Sequence, residues 1–130
     1  MRRRQGIQWH AVLAGSVVDM LLSLVISAVG AALDPAIMSG MFFRSPGGAL
    51  VGVLLVLAVV IGGWIAGRLA EHERFLHGFM VGGIGIILML ITSLAEGSPP
   101  LDAILLQFVA TLLAGCAGQL SQWPVARLRK

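Results

Sequence analysis

The sequence predicts an all-α, polytopic membrane protein: a four-transmembrane-helix bundle built as two tandem helical hairpins. Three observations lead there. Apolar residues fall into four long blocks, Ala11–Leu33, Ala49–Gly67, Gly78–Ala95 and Leu101–Leu120, each roughly long enough to cross ~30 Å of hydrocarbon. Charged residues are only 12% of the 130, and mean hydropathy is +0.94, which leaves too little charge to cover a soluble domain. Finally, eight of the nine basic residues (Arg2, Arg3, Arg4, Arg68, Arg74, Arg127, Arg129 and Lys130) flank one side of the blocks, leaving Arg44 alone on the other.

The first span covers residues 9–33, with Trp9 as an indole anchor where the basic N-terminal segment meets the apolar run. A cleaved secretory signal is the rival reading, but the run is longer than a signal's apolar core and contains Asp19. It is read here as a retained span. Asp34-Pro35 ends it. The segment Ala36–Phe43 is too short to cross, and Phe42 and Phe43 suggest that it rests in the outer interface. Ser45-Pro46 supplies a cap and a first-turn proline for the second span, 49–67. The third span is 78–95. Ser98-Pro99-Pro100 opens the fourth, 101–120, where Asp102 meets the positive end of the helix dipole. Trp64 and Trp123 lie at the same interface as Trp9.

These spans use nearly the whole of 1–130 as a single membrane domain, so no soluble catalytic domain fits beside them and the expectation is not an enzyme. The basic side follows the positive-inside pattern, with both termini and the middle loop cytoplasmic. It favours membrane lipids with anionic headgroups as partners, and not nucleic acid. The lone Cys116 sits within a span, which gives neither an intrachain disulfide nor a cysteine metal motif.

The halves resemble each other. An offset of 67 pairs His10 with His77, Gly15 with Gly82, Leu21 with Leu88, Ala28 with Ala95 and Gly30 with Gly97. The second helices align at an offset of 51, pairing Ala66-Gly67-Arg68-Leu69 with Ala117-Gly118-Gln119-Leu120. Chance is a real competitor in so simple a sequence. A duplicated hairpin is the preferred reading, with an axis along the membrane normal.

Asp19 is the sharpest chemical signal. Counting about 1.5 Å per residue from Trp9 places it ~15 Å deep, where a charged carboxylate costs at least ~2.5 kcal/mol. Its helix offers a small and polar face at every fourth residue: Ala11, Gly15, Asp19, Ser23, Ser27 and Ala31. Thr111 reaches a similar depth on the fourth span and is the expected partner, with Gln107 one turn further out. One reading makes Asp19, Thr111 and Gln107 a proton- or ion-binding group. The other makes Asp19 a neutral hydrogen-bonding group that glues helices together. The second is preferred, because no second membrane-embedded charge accompanies Asp19: Asp102, the other charge within the spans, sits at an end.

Small residues recur at four-residue spacing: Gly63 and Gly67, Gly78 and Gly82, Ala114 and Gly118. With Gly15 they predict close helix packing, within the bundle or between copies. Gly82-Gly83-x-Gly85 lies inside an apolar span and is no nucleotide loop. His10, His72 and His77, with Glu71 and Glu73, gather at the cytoplasmic edge. A metal or pigment site is conceivable there, but solvated loop residues with Arg68–Glu71 and Glu71–Arg74 ion pairs are the preferred reading. No metal ligand set and no particular cofactor follow from these residues.

At Gly62-Gly63-Trp64-Ile65-Ala66-Gly67-Arg68, followed by His77-Gly78, the chain resembles small prokaryotic four-span membrane protein families of unknown function. The opening Ile7-Gln8-Trp9-His10-Ala11-Val12-Leu13-Ala14-Gly15 is similar to theirs. The resemblance implies a four-helix membrane fold in the prokaryotic inner membrane and brings no activity with it. Small multidrug transporters also carry one acid in the first span, but theirs is Glu and their loops are shorter. Fluoride channels have a comparable size, yet their second- and third-span motifs are missing here. The expected role is a structural or accessory inner-membrane protein, a homo-oligomer or a subunit alongside other membrane proteins. The alternative is a small proton- or cation-coupled transporter or channel using Asp19. A polar cavity reaching Asp19 would favour the alternative.

Overall fold

The computed structural model describes residues 6–35, 42–97 and 101–122. The Arg2–Arg4 cluster, most of the Ala36–Phe43 segment, the Ser98-Pro99-Pro100 cap, Trp123 and the basic tail lie outside the described residues. Among the described residues four helices form: α1 (Trp9–Leu33), α2 (Pro46–Leu69), α3 (Arg74–Glu96) and α4 (Leu101–Leu120). All four are long and apolar enough to cross a membrane. A short 3-10 turn, Phe42–Arg44, precedes α2.

Helix ends follow the local chemistry. The Ser45 Oγ accepts from Gly48 N at 3.0 Å with Pro46 in the first turn, the expected cap. At the far end of α3, Gly97 takes φ +109, a backbone state open to glycine at little cost. The second and third helices outrun the expected 49–67 and 78–95, α2 by three residues at its start and two at its end, α3 by four at its start and one at its end. Arg68 therefore lies in the last turn of α2 and Arg74 in the first of α3, and only residues 70–73 connect them. Glu73 closes this connection at φ 49, ψ 47.

α1 packs along α2, and α3 along α4. α2 also meets both α3 and α4, whereas α1 touches α3 more lightly and α4 barely at all. The centre of the bundle is made of small residues: Ala11, Ala58, Ala66, Ala110 and Ala114 are at most 1% exposed. Large chains face outward, with Leu24 at 68% and Leu94 at 88% exposed. That inversion suits a solvent of hydrocarbon, where Leu gains nothing by hiding and close backbone approach supplies the packing.

The interface of α2 with α4 joins Gly63 to Ala114 and Gly67 to Gly118, the pairs that the offset of 51 aligns. Equivalent residues thus meet each other along the two parallel helices. A two-fold relation would also make the α1–α4 contact match the α2–α3 contact, and it does not. α3 is drawn onto α2 while α1 stands off from α4.

Candidate functional site

The four-residue face of α1 turns inward. Ala11, Gly15 and Asp19 are buried, and Ser23 is half-buried. Gly15 sits on the carbonyl of Gly62, and a β-carbon there would also stand 2.8 Å from Ala66 Cβ and 2.9 Å from Val81. This contact holds α1, α2 and α3 together on the Trp9 side of Asp19. On the other side the helices do not close, and a cavity of about 250 Å³ remains.

Ser16, Asp19 and Ser23 from α1 and Gln107 from α4 supply its polar lining, while Leu55, Val59, Val81 and Ile84 form apolar wall. Asp19 is 7% exposed, and its Oδ1 accepts from Ser23 Oγ at 3.1 Å. That bond stays within α1. Gln107 reaches across α3, donating from Nε2 to Gly82 O at 3.3 Å. A β-carbon on Gly85 would stand 2.5 Å from that Nε2, so Gly85 is what lets the amide lie there.

Ser16 differs from three other hydroxyls of the bundle. Thr111 donates to Gln107 O at 2.8 Å, Thr92 to Met89 O at 2.9 Å and Ser121 to Gly118 O at 2.7 Å. Each satisfies itself on its own helix, as hydroxyls in apolar helices usually do. The Ser16 Oγ is buried on the cavity wall and has no hydrogen-bond partner among the described residues. A buried hydroxyl without a bond costs roughly 1–3 kcal/mol.

Thr111 is not the partner of Asp19. It is 2% exposed, tied to its own helix, and serves as the surface on which Gly82 packs. Of the three expected site residues, Asp19 and Gln107 share the cavity and Thr111 lies outside its lining. Sequence reasoning missed Ser16, although it lies three residues before Asp19 and so on the same helix face.

His77 is also corrected. It is not a solvated loop residue but 2% exposed. Its Nδ1 lies 2.9 Å from the Glu73 carbonyl, and its Nε2 accepts from Gln8 N at 2.9 Å. A carbonyl can only accept, so the ring proton is assigned to Nδ1. The Gln8 Oε1 accepts in turn from Glu71 N at 2.9 Å. These bonds pin the start of α1 to the α2–α3 connection. Neither expected ion pair forms among the described residues. Arg68 lies over the Trp64 ring at 5.2 Å instead, an attraction worth about 0.5–1 kcal/mol at an exposed site. The imidazole's two bonds are to backbone, and no cluster of three His, Cys, Asp or Glu forms among the described residues.

Gly63, Gly67, Gly78, Gly82 and Gly118 all have neighbouring helices where a β-carbon would go. The packing residues read from the sequence are therefore used inside one chain. Comparison with known proteins finds no match for the chain among protein-family models, curated proteins or solved structures.

Proposed function

We propose that this membrane protein binds a proton or cation at Asp19 and carries it across the bilayer, as a small transporter or channel. The observation that carries the reading is the direction of Asp19's hydrogen bond. A helix-gluing carboxyl must reach another helix, yet Asp19 bonds Ser23 on its own helix and faces a cavity with Ser16 and Gln107. An intramembrane acid beside such a cavity is a functional group by default. The contact of Gly15 with Gly62, Ala66 and Val81 closes α1 against α2 and α3 on the Trp9 side of the site. Passage therefore calls for α1 to move against α2, which suits a transporter better than an open pore. The charge distribution supports residence in the prokaryotic inner membrane with both termini cytoplasmic.

A second reading, a structural or accessory protein that self-associates or joins other membrane subunits, is supported by Ala28 and Ala32. Both are exposed, one turn apart, near the end of α1, a small-residue pair suited to a facing helix.

Reconstitution separates the two. Vesicles holding the wild type should show proton or monovalent cation flux under an imposed gradient. Asp19→Asn, which keeps shape and hydrogen bonding, should fold normally and abolish that flux. A wild type with no flux above empty vesicles would leave the second reading in place.

A further inference from the structure

We infer that the Asp19 cavity takes a small organic ammonium ion with an apolar body, in preference to a bare metal ion. This rests on the reading of Asp19 as the cation-binding group and names the class of cation.

The polar and apolar parts of the cavity are unequal. Its acceptors are the Asp19 carboxylate and the unpartnered Ser16 hydroxyl, one turn apart on α1, and the oxygen of Gln107 on α4, whose nitrogen is already committed to Gly82. An ammonium group carries three N–H donors and no acceptor, which matches a lining whose free polar groups are acceptors. The Ser16 Oγ would then gain the bond that its own helix does not give it. The rest of the lining includes Leu55, Val59 and Val81. A metal ion such as Na⁺ or K⁺ would have to shed water and finish its shell against hydrocarbon walls. An organic cation would instead bury its carbon skeleton there, at about 0.8 kcal/mol per CH₂.

Size agrees. A dry cavity of about 150 Å³ holds a benzene ring, so the 250 Å³ here has space for a ring or short chain plus a charged nitrogen. Access agrees as well. Met20 and Leu88 line the cavity and are also 55% and 41% exposed, so it reaches the lipid-facing surface between α1 and α3. An amphipathic cation dissolved at the membrane interface can enter by that route, whereas a hydrated metal ion has no reason to take it.

The test is equilibrium binding to the purified chain in detergent, with benzylammonium, benzyl alcohol, Na⁺ and K⁺ as probes. Benzylammonium should bind saturably to the wild type. Asp19→Asn should weaken it roughly 10- to 100-fold, the loss expected for a charge-assisted hydrogen bond. Ser16→Ala should weaken it several-fold with the fold unchanged, which keeps the proposal testable if Asp19→Asn misfolds. Benzyl alcohol, the neutral analogue, should show no dependence on Asp19. If Na⁺, K⁺ or protons bind in an Asp19-dependent way and benzylammonium does not, the ammonium proposal is overturned and the proposed function stands. If no probe binds in an Asp19-dependent way, both are overturned.

Discussion

Gly82 lies against the backbone of Thr111: a β-carbon on it would stand 2.6 Å from both Cα and Oγ1, whereas one on neighbouring Gly83 would meet nothing within 4 Å. Adjacent glycines thus have opposite tolerances. Gly82→Ala forces α3 from α4 and should lower stability in detergent by about 1–3 kcal/mol, the usual cost of overpacking. Gly83→Ala should be neutral or gain up to about 1 kcal/mol, because Ala is the better helix former. Thermal unfolding of the two variants decides it, and equal shifts would mean that α3 does not approach α4 this closely. On the same logic Gly67→Leu should be severe, since Gly67 meets the backbone of Gly118, and Leu57→Ile mild, since Leu57 is 47% exposed.

His77 and His72 should separate just as clearly. His77→Leu strands the Gln8 N–H and should cost about 1–3 kcal/mol. His72→Leu, at an exposed position, should change unfolding by less than about 0.5 kcal/mol. Comparable small effects from both would deny the clamp between α1 and the α2–α3 connection.

Glu73 holds a left-handed backbone at φ 49 with its side chain exposed. Glu73→Gly should be tolerated or stabilising by up to about 1 kcal/mol, since the left-handed region costs non-glycine residues about that much. Glu73→Val, branched at Cβ, should be clearly destabilising. The reverse order in thermal unfolding would contradict a left-handed turn there.

The helices were legible because their signal is additive: long apolar blocks and a proline cap specify a span whatever its neighbours do. The small-residue spacing was legible for the same reason, since Gly63 and Gly67 must face something close. What the sequence hides is which partner each polar group finds. Asp19 has Thr111 at matching depth, yet α1 stands off from α4, and depth alone does not show that gap. Ser16 and Thr111 have similar chemistry, and only the fold leaves one unbonded and ties the other to Gln107. His77 was misread because charged neighbours at Glu71, Glu73 and Arg74 suggest solvent, while Gln8, 69 residues away, covers it.

Topology is open to labelling from outside intact cells on a Cys116→Ala background. Ser121 is 1% exposed and would label poorly from either side, so Gln119→Cys, exposed on the same end, reports better. A membrane-impermeant maleimide should modify Gly47→Cys and leave Gln119→Cys untouched until the cells are opened. External labelling of Gln119→Cys would reverse the orientation.

Whether Asp19 serves a site or the packing is measured most directly by the stability of Asp19→Leu. A gluing carboxyl contributes roughly 1 kcal/mol across helices, so its loss destabilises. A binding carboxyl is instead held in the membrane at a cost of at least ~2.5 kcal/mol when charged. Removing it relieves that cost. Ser23 can turn to a carbonyl of its own helix. Leu has the same number of side-chain heavy atoms as Asp, so the cavity beside it has space for the two methyls that replace the oxygens. The expected result is an unfolding midpoint for Asp19→Leu equal to or above the wild type. A fall of more than about 1 kcal/mol, comparable with His77→Leu, would make Asp19 structural and contradict the proposed function.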